Sequence, residues 1–277
     1  MFQLIERFSE DIDLSLRRDY LGFGGENDPE KGGSNTQKKK LVEALRKKCK
    51  EVVQDEVKIS LTSAFQQKLG MQSWSLESDA QDENTLNFTY PATIVPDALG
   101  DAYIRGIVKL EMGVGSDPYP IGVHSLQPYA AEEFPSVFAA SSCNVIAMEA
   151  ERTFWEKATL LHAEYHRPQD KQRPHRISRH YYDLIQIAKS ETGRRALADQ
   201  DLLARVVTHK SLYFASSWAN YETAKLGTLH LLPPVACLEE VRHDYSEMKD
   251  MFFGNYPTFE ELMADVEALE RRLNSQI

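Results

Sequence analysis

Hydrophobic and polar positions alternate strictly near the start of the chain. In RFSEDIDLSL, residues 7 to 16, Ile12, Leu14 and Leu16 are interleaved with Asp11, Asp13 and Ser15. Successive side chains of a strand point to opposite faces, so this run predicts a buried strand with one apolar and one acidic face. The pattern recurs in GIVKLEMGV, residues 106 to 114, where Val108, Leu110 and Met112 share one face and Ile107, Lys109 and Glu111 the other. Further strand-like segments are WSLES, TLNFTYPATIV, YIRGIVKLEMGV and HSLQPY, separated by polar or Gly/Pro turns.

Elsewhere the period changes to that of a helix. Residues 36 to 69 carry Leu41, Ala44, Leu45, Val52, Val53 and Leu61 among many charges, which predicts a helical segment. The stretch before it, GFGGENDPEKGGSN at 22 to 35, is turn-rich and reads as a loop. No strand directly precedes either Gly-Gly pair, so the loop reading outweighs a phosphate cradle. From NVIAMEAERTFWEKATLLHAEYHR onward helical periodicity dominates. Later helices are predicted at 179 to 190, 199 to 216, 234 to 252 and 257 to 273, with Pro233, Pro234 and Pro257 at their starts. The fold class is therefore α+β: a mixed α/β region over residues 1 to 150, then a mostly α-helical region over 151 to 277.

Composition narrows the function classes. With 42% hydrophobic residues the chain can bury a real core. A net charge of -10 argues against binding nucleic acid or anionic lipid over the whole surface, so any nucleic-acid contact has to be local. Cys49, Cys143 and Cys237 are far apart and odd in number, which fits a reduced, cytoplasmic setting. No apolar run approaches the ~18 residues of a membrane span, and the start lacks the features of a signal peptide. A soluble protein with no membrane partner is expected.

Against that background four features carry candidate chemistry. Asp11 and Asp13 project the same way, about 7 Å apart at the backbone, within joint reach of one metal ion or a pair. Glu111 adds a third carboxylate. Hard divalent ions prefer oxygen ligands, and two metals can hold the attacking and leaving oxygens of an in-line displacement, so this layout suits Mg²⁺-dependent nucleotidyl transfer. The plain alternatives are a strand with one wet face and a surface ion pair at Glu111. In ERTFWEKATLLHAEY, residues 151 to 165, Phe154, Ala158, Leu161 and Tyr165 form a core-facing stripe. Lys157 lies about 60° off that stripe. It either snorkels to solvent or reaches a triphosphate. In RHYYDLIQIA, residues 179 to 188, Tyr181, Leu184, Ile185 and Ala188 share a face and Asp183 lies nearly opposite, where an i,i+4 pair with Arg179 is the plain reading. Between these helices RPQDKQRPHRISRH, residues 167 to 180, holds five Arg or Lys against one Asp. That concentration, with Arg176 and Arg179 as candidate substrate-binding residues, suits phosphates of a nucleotide or an RNA backbone; a solvated loop is the alternative.

RFSEDIDLSL, then RTFWEK, then SRHYYDL resemble, in order and spacing, the AbiEii family of bacterial nucleotidyltransferase toxins, within the DNA polymerase β-like nucleotidyltransferase superfamily. The resemblance covers most of the chain. It implies a polymerase β-like mixed sheet with helices over 1 to 150, completed by the helical region 151 to 277. It also implies that Asp11 and Asp13 bind the catalytic metal, Mg²⁺ or Mn²⁺, with Glu111 as third carboxylate. Lys157 and Asp183 match the family's active-site set. Ser9, two residues before Asp11, is a candidate substrate-binding hydroxyl, or a strand-entry hydroxyl bonded to backbone. The implied activity is transfer of NMP from a nucleoside triphosphate (NTP) to a hydroxyl of RNA, possibly tRNA, or of a protein. The implied setting is the toxin of a toxin–antitoxin or phage-abortive-infection pair, with a cognate antitoxin as partner.

The chain departs from the family in one respect. Relatives carry a Gly-Gly-Thr or Gly-Gly-Ser stretch just before the segment that begins MFQLIERFSEDID here, and its backbone amides hold the nucleotide's phosphates. Two expectations compete: a misplaced start codon, or a truncated, catalytically inactive remnant that serves as an antitoxin- or RNA-binding module.

Overall fold

The alternation at the start of the chain becomes strand β1 (Asp11–Ser15), and the second acid-bearing run becomes a strand beside it. A computed structural model describes residues 2–9, 11–90, 106–115, 117, 119–138 and 142–275. Two units emerge, one comprising Phe8–Ser116 and the other Met1–Arg7 with Asp117–Ile277.

In the first unit β1 is followed by α1 (Asn35–Val52), a π-helical turn (Val53–Val57), α2 (Lys58–Leu69), β2 (Ser75–Ser78), β3 (Thr85–Thr89) and β4 (Ile107–Gly113). The single helical segment expected at 36 to 69 is thus α1, turn and α2 in one run. The Ser34 hydroxyl accepts from the Gln37 N–H at its start (3.2 Å), and Gly70, at φ 62°, ends it where a side chain would be strained. The strands order β1-β4-β3-β2, with β1 parallel to β4 and the other pairs antiparallel. Leu86 lies opposite Leu110 and Leu76 opposite Phe88, so the apolar residues gather on one face. Leu76, Leu86, Leu110 and Met112 are buried there. Phe65 of α2 packs against Phe88 (4.5 Å between centroids) and Trp74 (5.9 Å). The Ser78 hydroxyl donates to Gln54 Oε1 (2.6 Å) and accepts from Lys58 Nζ (3.0 Å), tying helix to sheet. One expectation is corrected. Among the described residues β1 is the edge strand of this sheet, and Ile12 and Leu14 stay 47% and 41% exposed, so it is not buried on its apolar face. The residues at 91 to 95 and 103 to 105, also expected in strands, lie outside the described residues.

The second unit holds β5 (Ile121–Leu126), α3 (Tyr129–Glu133), β6 (Cys143–Met148), α4 (Ala150–Tyr165), α5 (Ser178–Ala188), α6 (Glu191–Ala198), α7 (Gln200–Tyr213), α8 (Leu238–Glu247) and α9 (Phe259–Asn274). β5 and β6 pair antiparallel. The residues NVIAM, read as the start of the helical region, belong instead to β6, a short apolar run of the kind that period alone does not classify. α6 was not foreseen as a helix of its own. It follows α5 through Ser190, whose hydroxyl accepts from the Gly193 N–H (3.3 Å). At α9, Thr258 and Glu261 form a reciprocal capping box. The core gathers Phe154, Trp155, Ala158 and Leu161 of α4 with Leu184 and Ile185 of α5, Val206 of α7 and Leu262 and Val266 of α9. Among the described residues no helix is long and apolar enough to cross a membrane.

Candidate active site

The acidic strand is built by register. Asp13 pairs with Glu111 and Asp11 with Lys109 across the parallel strands β1 and β4. Residues opposite each other share a face, so Asp11, Asp13 and Glu111 project from the side of the sheet away from Leu110 and Met112. Thr85 flanks Glu111 on the other side, its hydroxyl donating to Asp82 Oδ2 (2.9 Å). Carboxylate oxygens are the donor chemistry a hard divalent ion takes, and two stand side by side at Asp13 and Glu111. Among the described residues no three His, Cys, Asp or Glu are gathered into a ready ligand set. The register therefore fits an ion held first by Asp13 and Glu111, with Asp11 one pleat along. Ser9 is exposed, ahead of the strand.

In the other unit Lys157 and Asp183 meet directly. Lys157 Nζ lies 2.8 Å from Asp183 Oδ2. The sequence did not signal the third member, Arg7. Its Nε donates to Asp183 Oδ1 and its Nη2 to Oδ2, both at 2.7 Å, a fork-to-fork pair. Asp183 is accordingly not on a wetted face with Arg179 as its main partner. Its side chain is 1% exposed, because α5 is covered on both sides: its apolar face packs into the helical core, and Arg7 and Lys157 close over the other. Burial alone would raise the Asp183 pKa. The Lys157 charge and the Arg7 hydrogen bonds outweigh it and hold the carboxyl at about 2. Arg7 is itself fixed by a β-bridge to Phe252 and by the Phe253 N–H donating to Glu6 C=O (2.9 Å). Phe252 packs against Tyr182 (4.8 Å) and Tyr256 (4.2 Å).

His180 stands on the far side of the lysine, with Nδ1 3.4 Å from Lys157 Nζ. Burial, then the charges of Lys157 and Arg179, push its pKa well below that of a free imidazole. The ring is therefore neutral, and Nδ1 faces the ammonium as an acceptor with the ring proton on Nε2.

Two cations of the basic loop are bonded into the fold. Arg167 grips both Glu164 oxygens (2.6 and 2.7 Å) and lies 4.3 Å over the Trp218 ring. Arg173 is buried and donates to Glu164 C=O (3.0 Å). These two are engaged within the fold through Glu164. Asp244 of α8 accepts from the Arg176 N–H (2.6 Å) and the Ser178 N–H (2.7 Å), fixing the start of α5 and hence the height of Asp183. Arg176 and Arg179 are half-buried at that corner.

A second unforeseen network braces the turn of α4 that carries Lys157. Fully buried Arg152 donates to Asp117 Oδ2 (2.9 Å), Tyr119 C=O (2.7 Å) and Glu156 Oε1 (3.0 Å). Lys210 of α7 donates to Glu156 C=O (2.6 Å) and pairs with its carboxylate (3.2 Å). The i,i+4 spacing of Arg152 and Glu156 was the visible signal for it.

No curated protein and no solved structure matches the chain. The family model described as "Nucleotidyl transferase AbiEii toxin, Type IV TA system" matches residues 1–266, so the chain belongs to the AbiEii family of nucleotidyl transferase toxins of type IV toxin–antitoxin systems.

Proposed function

We propose that the chain transfers NMP from an NTP to a hydroxyl of RNA, with tRNA as a candidate acceptor, and releases pyrophosphate. The observation that carries this reading is the register that sets Asp13 opposite Glu111 on one face of the sheet, with Asp11 alongside. Asp11, Asp13 and Glu111 would hold Mg²⁺ or Mn²⁺. Such an ion, when bound, neutralises phosphate charge and aligns the attacking and leaving oxygens.

The roles of the remaining residues follow from their chemistry. Lys157 presents an ammonium backed by Asp183, suited to the charged oxygens of a triphosphate. Asp183 sets the direction of that ammonium and stays ionised across the working pH range. Glu111 is exposed, and its carboxylate would accept a proton from the acceptor hydroxyl. Ser9, Arg176 and Arg179 are the candidate contacts to substrate. Phosphoryl transfer asks mainly for positioning and charge stabilisation, which these residue types supply. An antitoxin partner follows from the family alone.

The test is incubation of the purified chain with each α-³²P-labelled NTP, Mg²⁺ or Mn²⁺, and cellular RNA. Label in RNA that is lost in Asp11→Ala and Asp13→Ala is the expected result. Label in protein instead would move the acceptor to a protein hydroxyl. No transfer under any condition, with RNA still bound, would favour the non-catalytic binding module.

A further inference from the structure

We propose that His180 is a positioning residue for Lys157: its unprotonated Nδ1 is the second acceptor that, with Asp183, turns the lysine's remaining N–H towards a phosphate-type anion. This rests on the reading of Lys157 as a phosphate contact and adds the residue that gives such a contact its direction.

Direction is what a lysine lacks on its own. Its ammonium is a point charge with three donors on a flexible four-carbon stem, and a single ion pair leaves it able to swing about its partner. Here one helix supplies two partners. His180 and Asp183 stand at i and i+3 on α5, neighbours on its surface, and both reach Lys157 of α4: Asp183 Oδ2 lies 2.8 Å and His180 Nδ1 3.4 Å from Nζ. An ammonium offers only donors, so the ring nitrogen that faces it is the acceptor. Burial, then the charges of Lys157 and Arg179, keep a second proton off the ring. Among the described residues two of the three N–H groups are thus taken, and the third is left for an incoming anion. The Lys157 side chain is 17% exposed against 1% for Asp183, so solvent reaches the pair at the lysine.

The ring and the lysine are both held by their backbones. Asp244 accepts from the Ser178 N–H (2.7 Å) and the His180 N–H donates to Ile177 C=O (3.0 Å), which fixes the first turn of α5. Lys157 follows Glu156, whose C=O accepts from Lys210 (2.6 Å). A neutral acceptor also suits the task, because it orients the ammonium without adding a negative charge beside phosphate oxygens. A packing role for the ring would make the opposite demand: an apolar side chain of similar size would serve it, and a smaller polar one would not.

The experiment measures binding of inorganic pyrophosphate, by calorimetry, in the wild type and in Lys157→Ala, His180→Asn, His180→Leu and His180→Phe. Circular dichroism and thermal melting confirm that each is folded. Lys157→Ala is expected to lose binding. His180→Leu and His180→Phe fill the space of the ring without an acceptor and are expected to weaken binding by about tenfold, the effect of losing one hydrogen bond to a charged group. Either of the two suffices if the other does not fold. His180→Asn carries its amide oxygen near the position of Nδ1 and is expected to bind within about threefold of the wild type even where it melts lower. Apolar variants that bind like the wild type, or a His180→Asn as weak as they are, would overturn the proposal, while loss of binding in Lys157→Ala would leave the lysine reading standing. Equal binding by the wild type and Lys157→Ala, or a wild type that does not bind pyrophosphate, would remove the lysine reading and the proposal with it.

Discussion

Asp13 stands directly opposite Glu111 across the parallel pair of β1 and β4, two carboxylates side by side on the polar face of a sheet. Like charges directly opposed on neighbouring strands destabilise a sheet by up to ~1 kcal/mol. A divalent ion held by both carboxylates reverses the sign of that interaction.

That reversal can be measured. Asp13→Asn removes one of the two opposed charges and, with it, one carboxylate ligand of such an ion. In millimolar Mg²⁺ or Mn²⁺ the wild type should gain melting temperature and the variant should not. Equal gains in both would remove Asp13 from the metal-binding set.

Asp183 makes a prediction about acid. Its folded pKa, about 2, lies below the ~3.9 of a free aspartate, so the native state binds this proton less readily than the unfolded chain does. Its stabilisation is fully present above about pH 4 and is lost as the pH falls towards 2. Asp183→Asn is therefore expected to lower stability strongly at pH 6, by roughly 3–5 kcal/mol for breaking a buried pair, and progressively less between pH 4 and 2. Urea unfolding across that range gives the difference directly. A gap that stays constant with pH would show that the carboxylate charge is not what stabilises the fold.

How far this site could be read in the sequence depended on how local its determinants are. The faces of β1 and β4 were legible because alternation over five to seven residues fixes which side chains share a side. That β1 lies at an edge was not, since no local period counts a strand's neighbours. Lys157 beside a core stripe was legible from helical rotation. The burial of Asp183 was not, because the residue that covers it, Arg7, is 176 positions away in the chain. The helical wheel placed Asp183 opposite the apolar stripe, which ordinarily means solvent. Here a guanidinium supplies the cover instead. β6 was misread for a different reason: NVIAM is too short to show a period of its own next to a strong helical pattern.

Packing between α5 and α6 offers a test away from the charges. A Cβ at Gly193 would lie 2.4 Å from Ile187 O and 2.7 Å from Ala188 Cα, both backbone atoms that do not move independently. Gly193→Ala is expected to destabilise by roughly 1–3 kcal/mol despite the better helix propensity of alanine. Chemical denaturation decides it. An unchanged midpoint would mean that the α5–α6 junction is more compliant than its geometry indicates.

The last prediction concerns a buried histidine of the same helix as Lys157. His162 of α4 is fully buried. Its Nδ1 accepts from the His230 N–H (3.1 Å), so the ring proton sits on Nε2, facing the Asn220 C=O (3.2 Å) and the Thr223 hydroxyl (3.1 Å). A second proton on Nδ1 would oppose the His230 amide. Burial, reinforced by nearby His166 and His230 against the raising effect of Asn220, pushes the pKa to about 4, below the ~6.5 of a free imidazole. Between those values the unfolded chain binds the proton and the native state does not. Stability is thus highest above about pH 6.5 and falls as the pH drops from 6.5 to 4. His166 and His180 are shifted the same way and steepen the fall. His162→Gln keeps a donor for the Asn220 C=O but cannot take up the proton, so the slope of unfolding free energy against pH in this window should shrink by about one proton. A slope unchanged by His162→Gln would assign the acid sensitivity to the other two rings.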